Sequence, residues 1–575
     1  PILPHEVEIR LTVEPAARME NSRIPERAIS GPQTELESAS PSAQTKESEE
    51  VPLTQFSPQR PKGFRWPLTV ISLLSTTFLF ATNTTMVADI QPTIIHDFGE
   101  VVKLPWIAVA YELAALSVCL IWGKLYGQFN TKYIFIACVV IFEVGNAICG
   151  ASQNMNMLII GRAISGIGGS GTYIGTVNII TSLLAPAERP LYMSFVGAVW
   201  CIGTVVGPII GGAFADGATW RWGFYINLCI AAVCAPVYIF VLPSQSKGGP
   251  GVSVMSRIRT IDWVGIVLFV GAACSIIMGT SFGGALHAWK SGQIIGLFVC
   301  SGILWILFWT QQALCLFTTP EFRFFPIKYL KSLEMIILFV QIAAGSACTL
   351  VPVFFIPLYF QFVQGDSALD SGVRLLPFIG VLVVGLLVNG GLMGVFRIYS
   401  PWFTVGGIIV VIGSALLHTV NLNTDRARIY GYTAILGFGT GLFVQAPFAI
   451  AQAKVQASEL QDASSFITAG QISGIAFSLS ISNSIFLNLS TKNIAALLPN
   501  IPLNEIQSLL AGVGASFLDD LSPTQRAAVL GILVHDISRM YIMLITTGVL
   551  ITILSVFMKR EGLNSDVKDE GVVEA

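Results

Sequence analysis

The chain has 575 residues, of which 53% are hydrophobic and only 11% are charged. Soluble domains carry about 25% charged residues, so this composition indicates an integral membrane protein. The net charge of −2 argues against a nucleic-acid partner. The ten cysteines show no CxxC or metal-type spacing, so we expect packing residues, with no disulfide framework, metal site or cofactor.

Residues 1–65 are rich in Glu, Ser, Pro and Gln and contain few large apolar side chains. Such a segment cannot bury enough apolar surface to fold, so we predict a disordered tail. No apolar core follows a basic start, so a signal peptide is not expected.

From Trp66 onward the sequence is a series of apolar segments, each of a length that can span a bilayer. We predict fourteen spanning segments, at 67–89, 104–123, 132–150, 157–183, 191–215, 221–242, 261–281, 292–313, 333–360, 371–393, 401–419, 430–452, 464–488 and 541–558. An even number places both termini on one side. Lys and Arg are more frequent in the loops of that side, which predicts that both termini are cytoplasmic.

Between the last two segments, residues 489–540 form a long predicted extracellular loop with modest apolar stretches, such as 506–517 and 527–534. We expect short amphipathic helices there. Asn488 begins an Asn-Leu-Ser sequon and is a candidate glycosylation site close to the membrane.

The segment 191–215 contains the run GTVVGPIIGG at 203–212. Gly203, Gly207 and Gly211 are four residues apart, so they share one helix face and allow another helix to approach closely. Pro208 adds a kink to the helix. A plain packing motif is the alternative interpretation of these residues.

Three motifs together resemble a known family: GKLYGQFNTK at 123–132, GRAISGIGGSG at 161–171 and the glycine-proline run at 203–212. Further along, PLYFQFVQGDSALDSGVRLLP at 357–377 and GFGTGLFVQAPF at 437–448 extend the pattern. The set resembles the major facilitator superfamily, specifically the fourteen-helix drug:proton antiporter branch that includes fungal toxin and multidrug efflux pumps.

The resemblance implies an all-α membrane protein with the major facilitator fold, in which two six-helix bundles surround a central cavity. It places the N-terminal bundle at 66–245, a linker and an inserted helix pair at 246–330, the C-terminal bundle at 331–558 and a cytoplasmic tail at 559–575. Transport in this family follows from one bundle rocking against the other. The glycine-proline run matches the antiporter signature, which favours export.

The resemblance also implies roles for single residues. Gly123 and Lys132 match the gating loop between the second and third helices, and Arg162 matches an arginine implicated in proton relay. Two positions depart from the family pattern, because Gly127 and Asn83 stand where the family has aspartates. Either other carboxylates have taken over proton coupling, or coupling is weakened.

Glu112 is the best remaining carboxyl group, because it lies inside the second apolar segment. A charge at membrane depth is costly and usually faces a bundle interior or a cavity with a partner. We therefore predict that Glu112 and Arg162 serve proton exchange. The alternatives are a structural ion pair for Arg162 and a protonated packing residue for Glu112.

Large amphipathic cargo needs apolar walls with a few polar anchors. The candidate cargo contacts are Asn83, Tyr359, Gln361, Phe443 and Gln445. Packing or contact with lipid is the alternative for these side chains.

The sequence thus predicts a monomeric transporter that exports a toxin, a secondary metabolite or a drug, in exchange for protons, through the fungal plasma membrane. A siderophore or other metabolite carrier, in the plasma or vacuolar membrane, is one alternative. A non-transporting sensor derived from a transporter is another. An enzyme is not expected, since no nucleotide loop, metal cluster or nucleophile elbow occurs in the sequence.

Overall fold

A computed structural model describes residues 61, 63–100, 103–244, 254–284, 287–320, 322–396, 398–456, 459–510 and 521–559. The expected disorder of the N-terminal tail falls at 1–60, outside the described residues. The start of the predicted linker and nearly all of the C-terminal tail are outside them as well.

Nineteen α-helices occupy the described residues, which we label in chain order. They are α1 (Arg65–Thr85), α2 (Val87–Phe98), α3 (Leu104–Gln128), α4 (Thr131–Gly150), α5 (Met155–Ser182), α6 (Arg189–Gly217), α7 (Arg221–Phe240), α8 (Val254–Arg259), α9 (Trp263–Phe282), α10 (Gly292–Leu314), α11 (Leu333–Gln364), α12 (Ala368–Val373), α13 (Leu376–Phe396), α14 (Ser400–His418), α15 (Arg426–Gly441), α16 (Ala446–Ala453), α17 (Leu460–Leu497), α18 (Leu503–Leu510) and α19 (Pro523–Val556).

Thirteen of the fourteen predicted segments correspond, within the described residues, to helices or helix pairs long and apolar enough to cross a membrane. The other predicted segment, 157–183, corresponds to α5, which has 28 residues. α5 is not among the thirteen, because Arg162 and many glycine, serine and threonine residues lower its hydropathy. Most of its side chains are buried against neighbouring helices, so α5 needs little apolar surface of its own.

Local sequence signals explain several helix ends. The side chains of Asn130 and Asn154 accept hydrogen bonds from the first turns of α4 and α5, and Asp262 does the same for α9. Such N-caps satisfy backbone donors that a helix leaves open. Gly99 and Gly365 follow α2 and α11 with positive φ, a conformation that glycine adopts without strain.

The predicted extracellular loop at 489–540 is helical at both of its ends. The helix α17 continues to Leu497, and α19 begins at Pro523, so much of this region belongs to two long helices. Hydropathy starts the last apolar segment only at residue 541, because polar side chains such as Asp536 precede it. In the structure Asp536 is fully buried and accepts hydrogen bonds from Ser490 at 3.1 Å and Asn493 at 3.2 Å, which offsets its burial between the helices.

The helices of the first half pack mainly on each other, through the pairs α4–α5, α3–α5 and α1–α6. Those of the second half do the same, through α14–α19, α13–α15 and α11–α17. The two halves meet along two seams, α3–α17 and α6–α13. The helix α9 contacts both α3 and α17, so the predicted inserted pair lies beside the first seam.

Candidate functional site

The glycine-proline run brings α6 very close to α1. A Cβ atom added at Gly207 would lie 2.3 Å from Thr85 Oγ1 and 2.8 Å from the carbonyl oxygen of Thr82. A Cβ atom added at Gly203 would lie 2.8 Å from the carbonyl oxygen of Phe78 on α1. One added at Gly211 would lie 2.8 Å from the carbonyl oxygen of Met86. Only glycine allows this separation, so the close approach predicted from the four-residue spacing is present. Its role in gating stays a prediction.

Arg162 lies fully buried on α5, in the interior of the first half of the chain. Its Nη1 donates to Oδ1 of Asn83 at 2.7 Å and to the carbonyl oxygen of Asn83 at 3.1 Å. Its Nε donates to the carbonyl oxygen of Ile107 at 3.0 Å, and its guanidinium stacks 4.1 Å from the ring centroid of Tyr111. The residue that replaces the family aspartate is therefore the partner of Arg162.

Asn83 extends this network to α4. Its Nδ2 donates to Oδ1 of Asn146 at 2.8 Å, which ties α1 to α4. A buried guanidinium is costly unless hydrogen bonds compensate for lost water. Nη2 of Arg162 has no protein partner among the described residues, so the network leaves one strong donor open.

Glu112 lies on α3, directly after Tyr111, and its carboxyl group is close enough to Arg162 for an electrostatic interaction. Among the described residues, Glu112 and Arg162 do not form an ion pair within 4.0 Å. The ring of Tyr111 stacks on the guanidinium, on the same helix as Glu112. The two predicted coupling residues, Glu112 and Arg162, are thus not directly bonded. Tyr111 precedes Glu112 in the chain and contacts Arg162.

Ionic contacts join the two halves at the end of the molecule where α1 begins, which we call the α1 face. Nζ of Lys124 on α3 lies 3.2 Å from Oδ2 of Asp462 on α17. Lys328, just before α11, lies 2.7 Å from Glu459 and 3.8 Å from Asp462. A Cβ atom added at Gly123 would lie 2.1 Å from Oγ of Ser465, so the backbones of α3 and α17 are in close contact here.

The other loop positions lie near this face. Gly127 is exposed, and an added Cβ atom would meet nothing within 4 Å. Lys132 is the second residue of α4, and its backbone N–H donates to the side chain of Asn130. Sequence reasoning singled out Gly123 and Lys132 but missed Asp462. The carboxylate could not be found from sequence because it is more than 300 residues from its partner.

The candidate cargo residues do not form one site. Asn83 belongs to the Arg162 network described above. Tyr359 donates to the carbonyl oxygen of Asn421, and Gln361 donates to Ser371, both within the second half. Phe443 is fully buried. Of the set, Gln445 reaches the other half of the chain, because a Cβ atom added at Gly197 of α6 would lie 2.4 Å from its Cγ.

Two residues that sequence reasoning missed accompany Gln445. The hydroxyl of Tyr173 on α5 donates to Oε1 of Gln471 on α17 at 2.8 Å. The side-chain amide of Gln445 lies close to this hydroxyl. We call Tyr173, Gln445 and Gln471 the amide cluster. The cluster lies in the interior and connects the two halves. The ring of Tyr173 stacks on that of Phe80, with the ring centroids 5.8 Å apart.

Asn488 lies inside α17, which continues to Leu497. Its Nδ2 donates to the carbonyl oxygens of Ser484 at 2.7 Å and Gly283 at 3.3 Å, and its Oδ1 accepts from Trp289. These bonds fasten the α9–α10 connection to α17. Glycosylation at this amide would disrupt them, and it stays a prediction.

Comparison with known proteins decides the family. The model of the Major Facilitator Superfamily matches residues 73–479. The chain belongs to the major facilitator superfamily. This transporter is a multi-pass membrane protein of a family that carries small molecules, and the resemblance inferred from its motifs is confirmed.

Its relatives include fungal transporters. It is 44% identical over 511 residues to "MFS-type transporter pgmG" of Aspergillus terreus, covering 88% of this chain and 91% of that protein. It is 41% identical over 510 residues to "Efflux pump alnA" of Emericella nidulans, covering 88% and 92%. It is 43% identical over 498 residues to a "Phomenoic acid biosynthesis cluster MFS-type transporter" of Leptosphaeria maculans, covering 84% and 79%.

Solved structures agree on the fold. The crystal structure of a bacterial homologue of the human lysosomal transporter Spinster matches with a TM-score of 0.52 and 15% identity, covering 86% of this chain and 98% of that one. The human organic anion transporter MFSD10 matches with a TM-score of 0.51 and 9% identity, covering 84% and 100%. At these identities the likeness concerns the fold alone.

Proposed function

We propose that the transporter exports small amphipathic organic molecules, such as toxins or secondary metabolites, in exchange for protons. It works by alternating access, with residues 66–245 and 331–558 as the two rocking bundles and residues 246–330 as the linker with the inserted pair. It acts as a monomer in the fungal plasma membrane, with both termini in the cytoplasm. Relatives named as efflux pumps or as transporters of a biosynthesis cluster support export.

The ion pair between Lys124 and Asp462 carries this proposal. Alternating access requires contacts between the bundles that stabilise one conformation. The same contacts must break at a small cost in free energy. A partly exposed ion pair is worth about 0–1 kcal/mol, and water replaces its interactions when it opens. The pair, together with the packing of Gly123 on Ser465, closes the α1 face, and its rupture would open a path to the cytoplasm.

Proton exchange is assigned to Glu112 with Arg162. Ionisable side chains within a membrane are rare and usually mark ion or proton pathways. Glu112 directly follows Tyr111 on α3, and the ring of Tyr111 stacks on the guanidinium of Arg162 on α5. Protonation of Glu112 would remove a negative charge near Arg162. The loss of this attraction would change the electrostatic interaction between α3 and α5.

Reconstituted protein tests the proposal. The purified transporter is placed in liposomes with an imposed pH gradient, and movement of a fluorescent amphipathic probe is followed with and without a protonophore. We expect transport that the protonophore abolishes. Transport that persists at the same rate would exclude proton exchange. A protein that moves no probe from a broad amphipathic panel, in either gradient direction, would contradict export and favour a sensor.

A further inference from the structure

The polar groups at the centre of the inter-bundle contact carry no charge. Tyr173, Gln445 and Gln471 are each at least 95% buried, and they come from α5, from the connection between α15 and α16, and from α17. Among the described residues, no Asp, Glu, Lys or Arg side chain hydrogen-bonds to any of the three. The cluster therefore offers only neutral donors and acceptors.

The charged groups of the transporter lie elsewhere. Gln471 is nine residues further along α17 than Asp462, which places it about 14 Å deeper than the ion pair of the α1 face. Tyr173 is eleven residues beyond Arg162 on α5, about 16 Å along the axis. A cargo molecule held at the amide cluster would thus be distant from both the ion pairs and the coupling network.

The contacts of the cluster have to separate when the bundles rock. Tyr173 on α5 donates to Gln471 on α17, and Gln445 packs on the backbone of Gly197 on α6. Opening would leave the phenol of Tyr173 and the amide of Gln471 without each other, and it would uncover the amide of Gln445. Buried polar groups without partners are costly, so a ligand that hydrogen-bonds to them stabilises the opened state.

We propose that the amide cluster is the polar anchor of the cargo site and that it selects uncharged, oxygen-rich amphipathic molecules over lipophilic cations. A glutamine amide both donates and accepts, which suits hydroxyl, carbonyl and lactone groups. A cation in a dry site needs an anionic partner to compensate for its lost water, and the cluster supplies none. This inference rests on the proposed export function.

The test uses two probes in inverted plasma-membrane vesicles from a yeast strain that lacks its own drug pumps. Cycloheximide is uncharged and carries hydroxyl, ketone and imide groups, whereas tetraphenylphosphonium is a permanent lipophilic cation. We expect uptake of cycloheximide and little uptake of the cation. In Gln471→Met the apparent affinity for cycloheximide should fall about tenfold, the equivalent of one lost hydrogen bond. Gln364→Met, at the end of α11, is the matched control and should change neither probe.

A second variant that gains an activity is also needed, because a loss of transport alone could result from misfolding. Gln471→Glu keeps the shape of the side chain and adds a carboxyl group, so uptake of tetraphenylphosphonium should appear or rise several-fold. Wild-type preference for the cation, or an unchanged affinity for cycloheximide in Gln471→Met, would overturn the inference while leaving export intact. Uptake of neither probe would count against this inference and the proposed function together.

Discussion

The side chains of Lys124 and Asp462 form an ion pair across the two halves of the transporter, with Nζ 3.2 Å from Oδ2. Both side chains are partly buried, at 18% and 25% exposure, so water screens the pair only in part. Lys328, in the linker just before α11, lies 3.8 Å from the same carboxylate and adds a second positive charge. Asp462 therefore connects the α3–α17 seam to the connection that leads into α11.

Reversing one charge of this pair should impair export. In Lys124→Asp two carboxylates face each other, so the closed α1 face loses stability and we expect export to fall at least fivefold. The double variant Lys124→Asp with Asp462→Lys restores opposite charges and should recover much of the activity. Initial export rates in vesicles with matched protein amounts measure both effects. Equal activity of the single and double variants would show that the pair does not gate.

Helix α6 should tolerate no side chain at Gly207. An alanine Cβ would lie 2.8 Å from the carbonyl oxygen of Thr82, so α1 has to shift, and overpacking of this kind costs about 1–3 kcal/mol. Gly207→Ala should lower the melting temperature of the purified protein, and Gly207→Leu should abolish export. Gly212→Ala is the matched control on the same helix, because its added Cβ meets nothing within 4 Å. Normal transport by Gly207→Leu would refute the close-packing role.

Asn83 should be essential as the partner of Arg162. Asn83→Leu removes the acceptor 2.7 Å from Nη1 and leaves the guanidinium buried with fewer hydrogen bonds. Loss of a hydrogen bond to a charged group costs about 1.5–3 kcal/mol, so thermal stability and export should both fall. Asn83→Asp keeps the acceptor and adds a charge opposite Arg162, and the Asn146 amide can turn its unpartnered Nδ2 toward the new carboxylate, so this variant should fold at least as well as the wild type. A stable, active Asn83→Leu protein would contradict this role.

Glu112→Gln should separate coupling from cargo binding. The amide keeps the size of the side chain but cannot release a proton, so gradient-driven export should be abolished while cargo affinity stays within about twofold. Arg162→Ala should reduce both, because it disrupts the packing around Asn83 and Tyr111. Liposome transport with an imposed pH gradient, together with a binding titration, makes the distinction. An unaltered rate in Glu112→Gln would move the coupling role to another carboxyl group, with Glu143 the first candidate.

Gly127→Asp should be well tolerated, because the position is exposed and an added side chain meets open space. The carboxylate that the family pattern places here would add a negative charge near the α1 face. We expect export that is raised or unchanged in vesicle assays. A collapse of export in protein that reaches the membrane normally would contradict the role assigned to this loop.

The sequence by itself determined the class, the family and most of the spanning helices. Apolar segments of about 20 residues identify helices because a bilayer leaves the backbone no other way to satisfy its hydrogen bonds. The spacing of Gly203, Gly207 and Gly211 also predicted a close helix contact, since residues four apart share one face. These signals are local in the chain, and so they can be read without a structure.

Tertiary structure alone decided which polar groups meet. Asp462 is paired with Lys124, and Gln471 with Tyr173, over separations of about 300 residues along the chain. Asp536 lies in a region that hydropathy assigned to a loop, because composition does not show that a neighbouring helix supplies its hydrogen-bond donors. Burial of a polar side chain depends on partners from distant segments, and the packing of the helices determines which partners those are.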